Sequence, residues 1–229
     1  MGTPSHSNLK AILFDLDGTL IDHFRTIYRC YRYALDKLGL EPVSYDQVRA
    51  AVGGSIVVTF GKLIPQPLVD EAVVHFREEF DRIWQEDIEV LPGAEWILDA
   101  LHGRGWRLAV FTNKEGDRAR RVLDHVGLAH RLDGVYGTLD TPFRKPQPAF
   151  THHVLRELGV EAAEACMIGD SPYDVDAAAA VGMPCYTVAT GSHTREQLRE
   201  ETEAAGVYRD LPELGTDLFG LPGAEERTA

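Results

Sequence analysis

The sequence predicts an α/β chain: a doubly wound parallel sheet interrupted after its first strand by an all-helical insert. Three observations carry that expectation. The run Lys10–Phe14 is continuously apolar apart from its lysine, as a strand buried on both faces would be. From Leu91 onward, short apolar runs alternate with amphipathic segments, the rhythm of strands and crossover helices. Between these two regions, residues 23–88 show helical periodicity alone. The expected units are an α/β core over 9–21 and 90–219 and a helical cap over 22–89. Residues 1–8 and 220–229 read as loose tails.

The elements follow in order. Phe24, Ile27, Tyr28, Tyr31, Ala34, Leu35 and Leu38 recur at helical spacing, and Gly39 can stop that helix. Ser44 with Gln47 fits a capping box opening a short helix that ends at Gly53-Gly54. A further helix is expected from Ser55, and a long amphipathic one over Pro67–Ile88. Then come a helix in LPGAEWILDALHGRG, a strand in WRLAVFT, a helix in GDRARRVLDHVGL and a strand in LDGVYGT. A helix in QPAFTHHVLRELG, a strand in ACMIGD, a helix in SPYDVDAAAAVG and a strand in PCYTVAT complete the series.

Composition narrows the function classes. The chain is 44% hydrophobic and 26% charged, ordinary for a globular protein. No apolar stretch approaches a membrane span and no signal-peptide pattern opens the chain, so a cytoplasmic protein with no membrane partner is expected. Cys30, Cys166 and Cys185 lie far apart with no CxxC, which points to reduced, buried thiols. A net charge of −13, from 36 acids and 23 bases, argues against nucleic acid as a partner. It also requires that any anionic substrate be drawn in by a local positive site.

Polar exceptions collect at the ends of the expected strands. Asp15 and Asp17 end the first, Thr112 and Asn113 the second, and Asp170 the CMIGD strand, with Asp174 one helical turn further on. Lys145 precedes a helix. Strand ends converge in a doubly wound sheet, so these separated segments can form one site. Each residue has a plain alternative: Asp170 as a helix N-cap, Thr112 as a β-branched strand residue, Lys145 as a solvated lysine, Asp174 as a dipole-facing carboxylate. Their ordered recurrence at strand ends argues for chemistry. Two carboxylates two residues apart repel, and like charges at about 4 Å cost on the order of 4 kcal/mol at an effective dielectric near 20. A hard cation between them and a third acidic ligand resolves that repulsion.

The motifs DLDGTLID, FTN, RKPQPAF and GDSPYDVDAA, in this order, resemble the haloacid dehalogenase superfamily, and within it the phosphoglycolate-phosphatase-like branch. The resemblance spans Lys10 to Asp217 and implies a Rossmann-like core with a helical cap. It further implies a magnesium-dependent phosphatase acting on small phosphorylated metabolites, phosphoglycolate-like or sugar phosphates, through an aspartyl-phosphate intermediate. Asp15 is then the nucleophile and Asp17 the acid–base group. Mg2+ is held by Asp15, the Asp17 backbone carbonyl and Asp170, with Ser171 and Asp174 behind them. Thr112 and Lys145 hold the transferring phosphoryl group, and Gly18, Asn113, His23, Gly54 and Ser55 line the substrate. Arg25, Arg29 and Lys62 are further cap contacts by location, although such arginines also suit a solvated helix face, and His152-His153 reads as surface. A sugar phosphomutase and a phosphonate or pyrophosphate hydrolase are the alternatives within the superfamily. A receiver-type phospho-aspartate signalling module is a further one outside it. A monomer or homodimer is expected.

Overall fold

A computed structural model of the chain describes residues 8–223. Strand β1 (Ala11–Phe14) leads to β2 (Ile21–Asp22), then to α1 (Phe24–Lys37), α2 (Tyr45–Ala51), α3 (Ile56–Leu63) and α4 (Val69–Ile83). After β3 (Glu89–Val90) the chain alternates: α5 (Ala94–His102), β4 (Arg107–Glu115), α6 (Gly116–His125), β5 (Gly134–Thr138) and α7 (Pro148–Leu158). It closes with β6 (Ala165–Gly169), α8 (Pro172–Ala179), β7 (Cys185–Val188), α9 (Arg195–Glu201), β8 (Gly206–Tyr208) and α10 (Leu211–Phe219).

Six strands form one parallel sheet in the order β5-β4-β1-β6-β7-β8, as the alternating rhythm predicts. Along β1 successive side chains enter opposite layers. Ile12 and Phe14 join one buried cluster, while Ala11 and Leu13 join the other. That two-sided burial explains why the strand is continuously apolar. Because β1 lies between β4 and β6, the ends of these three strands meet at the switch point of the sheet, where a crevice forms.

Helices α1 to α4 lie between β2 and β3, which pair antiparallel through Ile21 with Val90 and Asp22 with Glu89. This helical insert has its own aromatic centre. Tyr31 packs at 4.5 Å from Phe60 and 4.9 Å from Phe76, and Phe76 stacks on Phe80 at 6.1 Å. The expected capping box is present at α2: Gln47 N–H donates to Ser44 Oγ, and Ser44 N–H donates to Gln47 Oε1.

The structure departs from the sequence reading in several places. Helix α4 is shorter than the expected 67–88, because Pro67 sits in a 3-10 turn and the chain leaves the helix after Ile83. Strand β4 runs two residues past Asn113. The β2–β3 ribbon and the elements α9, β8 and α10 were not anticipated. Fraying from residue 220 does not occur at its start: the Gly220 and Leu221 N–H groups bond to the carbonyls of Thr216 and Gly215, and Leu221 is buried. The expected tails 1–7 and 224–229 lie outside the described residues. Cys30, Cys166 and Cys185 are buried and unpaired. Among the described residues no helix is long and apolar enough to cross a membrane.

Phe60 is fully buried at the aromatic centre of the insert. Phe60→Ala should therefore destabilise the protein by about 3–5 kcal/mol in urea unfolding. A loss below about 1 kcal/mol would show that the insert lacks a packed core.

Candidate active site

Three buried carboxylates meet at the strand ends. Asp15 follows β1, Asp170 follows β6, and Asp174 lies in the first turn of α8. Carboxylate oxygens of all three fall within 4.8 Å of one another. Burial, together with the neighbouring Asp174 and Asp15 charges, pushes the Asp170 carboxyl well above its ordinary range. Burial also raises Asp174, although Lys145 opposes that shift. Such a set is a group of hard oxygen donors with more negative charge than its surroundings cancel, which fits a divalent cation such as magnesium.

Lys145 offsets part of that charge. Its Nζ donates to Asp15 Oδ1 at 2.9 Å, to Asp174 Oδ1 at 2.6 Å and to the Phe111 carbonyl at 2.9 Å. Burial alone would favour the neutral amine, yet Asp15 and Asp174 outweigh it and its pKa is raised. Lys145 is thus far from the solvated lysine of the plain reading. Asn113 fixes its backbone: Lys145 N–H donates to Asn113 Oδ1 at 2.9 Å, and Asn113 Nδ2 donates back to Lys145 O at 3.2 Å. The same Nδ2 donates to Gly53 O in the insert at 2.9 Å, so the amide is fully committed to holding backbone. Thr112 is buried, and its Oγ1 accepts from Lys114 N–H at 3.2 Å.

The α8 N-cap is Ser171, not Asp170. Asp174 Oδ2 accepts from Ser171 Oγ at 2.7 Å and from the N–H groups of Ser171 and Asp170 at 3.0 and 3.2 Å. With Lys145 on Oδ1, both Asp174 oxygens are engaged, so this residue braces the site even though it lies within ligand distance of the other two acids. Asp170 is left to face the centre, and Ser192 holds it: N–H and Oγ of Ser192 donate to Asp170 Oδ2 at 2.7 and 2.9 Å. Gly18 makes room here. Its φ is +92°, and a Cβ would come within 2.9 Å of the Asp170 carboxylate and 2.7 Å of Gly191 Cα.

Asp17 points elsewhere. Lys114 Nζ donates to both its oxygens at 3.0 and 2.9 Å, and His23 Nδ1 lies 3.9 Å away. His23 is fully buried against Phe80, with only a weak approach to the Trp84 backbone and no full hydrogen bond. Gly54 lines the cleft between insert and core beside Asp17, whereas Ser55, whose Oγ has no partner, opens onto a neighbouring cleft. Arg29 is drawn to Glu86 and Asp87, and Arg25 lines a separate cleft with Asp22, Asp87 and Glu89. Lys62 reaches the Ala51 carbonyl at 3.5 Å and sits over the Tyr173 ring.

Sequence reasoning missed Lys114, Ser192 and Arg49. Lys114 lies two residues beyond Thr112 on the same extended strand, a signal that continued strand alternation would have supplied. Ser192 follows the C-terminal end of β7, so the strand-end rule reaches it too. Arg49 reads as one more surface arginine. Yet its Nε donates to the Gly191 carbonyl at 3.0 Å, on the very peptide group whose N–H, that of Ser192, bonds to Asp170.

The chain is similar to known proteins in sequence and in fold. Residues 12–188 match the family model described as haloacid dehalogenase-like hydrolase. A phosphoglycolate phosphatase from Rhodospirillum rubrum is 34% identical over 93% of this chain and 92% of its own length. A 5'-nucleotidase from Pseudomonas aeruginosa is 32% identical over 82% of this chain and 86% of its own. The crystal structure of "a predicted phosphatase from Clostridium acetobutylicum" superposes with a TM-score of 0.86 at 26% identity, covering 94% of this chain and all of that one.

Burial first, then the Lys114 charge, lowers the His23 pKa from 6.5 to about 3. Between those values the unfolded chain binds the proton and the folded protein does not, so stability falls as pH drops from about 6.5 to 3. His23→Leu should lose that dependence, making the slope of unfolding free energy shallower by up to about 1.4 kcal/mol per pH unit. Parallel slopes for both proteins between pH 6 and 4 would show that His23 titrates normally.

Proposed function

This chain belongs to the haloacid dehalogenase-like hydrolase family, and we propose that it is a magnesium-dependent phosphatase of small phosphomonoesters. The observation that carries this reading is the gathering of Asp15, Asp170 and Asp174 within 4.8 Å of one another, with the Lys145 ammonium bonded to Asp15 and Asp174. The phosphatase and nucleotidase relatives support it.

In this reading Asp15 attacks phosphorus from the end of β1. The P–O bond to the leaving group breaks, and Asp17 gives its proton to the departing alkoxide. Water then attacks the aspartyl phosphate, Asp17 takes a proton from it, and inorganic phosphate leaves. The net reaction consumes one water and releases one alcohol. Lys145 neutralises charge beside the nucleophile, and the Thr112 hydroxyl donates to a phosphoryl oxygen. Lys114 keeps Asp17 on the wall of the cleft, where a leaving group would lie. A magnesium ion held by Asp15, Asp170 and the Asp17 carbonyl would neutralise the phosphoryl oxygens as charge develops on them. The insert serves as a cap that excludes water during the reaction.

Phosphate release from alkyl phosphates should require Mg2+ and stop in excess EDTA; full activity in EDTA would contradict the metal assignment. Asp17→Asn should slow alkyl phosphate hydrolysis by roughly 10²–10⁴. Given an activated aryl or acyl phosphate and Mg2+, it should accumulate a phosphoryl adduct visible by intact mass. Equal fractional losses on alkyl and aryl substrates with no adduct would overturn the division of roles.

A further inference from the structure

We propose that the substrate's leaving group is an uncharged alcohol with a mainly apolar, aromatic-accommodating surface, and carries neither a carboxylate nor a second phosphate. The inference rests on the phosphatase reading and concerns what lies beyond the phosphoryl group.

Asp17 forms part of the wall of a cleft between core and insert. A leaving oxygen protonated by Asp17 must carry the rest of the substrate into that space. The insert's wall is carbon: Ile27, Val52, Ile56, Phe76 and Phe80, with the Tyr31 ring. Its one hydroxyl from a small side chain, that of Thr59, donates to the Ala51 carbonyl at 3.3 Å. No lysine or arginine of residues 22–89 lines the cleft. Arg49 is turned to the Gly191 carbonyl, Lys62 to the Ala51 carbonyl, and Arg77 to Glu115. A second anionic group would find no positive charge on this wall.

The core wall offers two cations, each in an ion pair, although the Arg118 Nε has no partner. Lys114 holds both oxygens of Asp17, and Arg118 bonds to Glu115 and Asp81. Both also sit over the Phe80 ring, Lys114 Nζ at 5.0 Å and Arg118 Cζ at 5.9 Å from its centre. In the resting site Asp17 pairs with Lys114 and Glu115 with Arg118, so a carboxylate that enters before Asp17 takes up its proton must break an existing pair in a partly dry site. An apolar group needs no such exchange and gains by leaving water. A second phosphate, as a mutase requires, meets the same obstacle.

The test compares 2-phenylethyl phosphate, glycerol 3-phosphate and phosphoglycolate on the full chain with Mg2+. All three release an alkoxide, so the pocket carries the main difference between them. Phenylethyl phosphate should have kcat/KM at least about tenfold above the other two. Ile56 is only partly buried on the cleft wall, so Ile56→Lys can place a cation there without emptying the core. It should move the ranking toward phosphoglycolate by about tenfold or more, and Ile56→Ser should lower only the phenylethyl preference. Circular dichroism checks that both fold. Phosphoglycolate preferred by the unaltered protein, or a ranking indifferent to both substitutions, would overturn the inference and leave the phosphatase reading standing. No turnover of any phosphomonoester, aryl phosphates included, would remove both.

Discussion

One buried ammonium group holds the site in register. Lys145 Nζ bonds to Asp15, to Asp174 and to the carbonyl of Phe111, and so joins three segments that are distant in sequence. Without that charge, buried carboxylates within a few ångströms would repel by on the order of 4 kcal/mol per pair at an effective dielectric near 20. Everything else supports the lysine or depends on it. Asn113 grips its peptide group, Asp174 braces it from α8, and Ser171 braces Asp174 in turn. The same Asn113 amide reaches Gly53, so the clamp on Lys145 also fixes where the insert meets the core.

A second tie runs from the insert to the carboxylates. Arg49 donates to one side of the 191–192 peptide group, and the other side donates to Asp170. Polarised in this way, the peptide presents a stronger dipole to Asp170 than it would alone. The protein is strongly acidic as a whole, yet its site is arranged around local cations. Lys145 serves Asp15 and Lys114 serves Asp17, so the two aspartates that would repel each other face different ammonium groups. That separation makes two adjacent carboxylates tolerable and leaves each in a distinct environment, the condition for dividing nucleophilic from acid–base work.

Much of this was legible in the sequence because it is written locally. The buried run Ala11–Phe14, the alternation after Leu91 and the polar residues at strand ends are short-range patterns that sheet geometry turns into one crevice. What escaped depends on distant partners. The two-residue strands β2 and β3 pair across almost seventy positions and show no periodicity of their own. The three-residue β8 is equally short, and α10 opens with Leu211-Pro212 where a loop was as plausible a reading. Lys114 belongs to the site only because β4 continues past Asn113. Asn113 and His23, read as substrate contacts, are occupied or enclosed by the fold, since amides and imidazoles serve backbone brackets and cores as readily as ligands. The apolar cleft wall draws on three helices and the loop after α2, and no single stretch of chain announces it.

The claim that Lys145 organises the site is tested most directly by a double-mutant cycle in metal-free protein, with unfolding free energy measured in urea. Lys145→Met keeps most of the side-chain volume but leaves Asp15 and Asp174 buried without their cation. It should cost about 3–5 kcal/mol, the usual penalty for breaking a buried ion pair from one side. Adding Asp174→Asn should recover a substantial part of that loss, with a coupling of about 1–3 kcal/mol between the two positions. A Lys145→Met protein within about 1 kcal/mol of the unaltered chain, or additive losses in the double variant, would contradict the account.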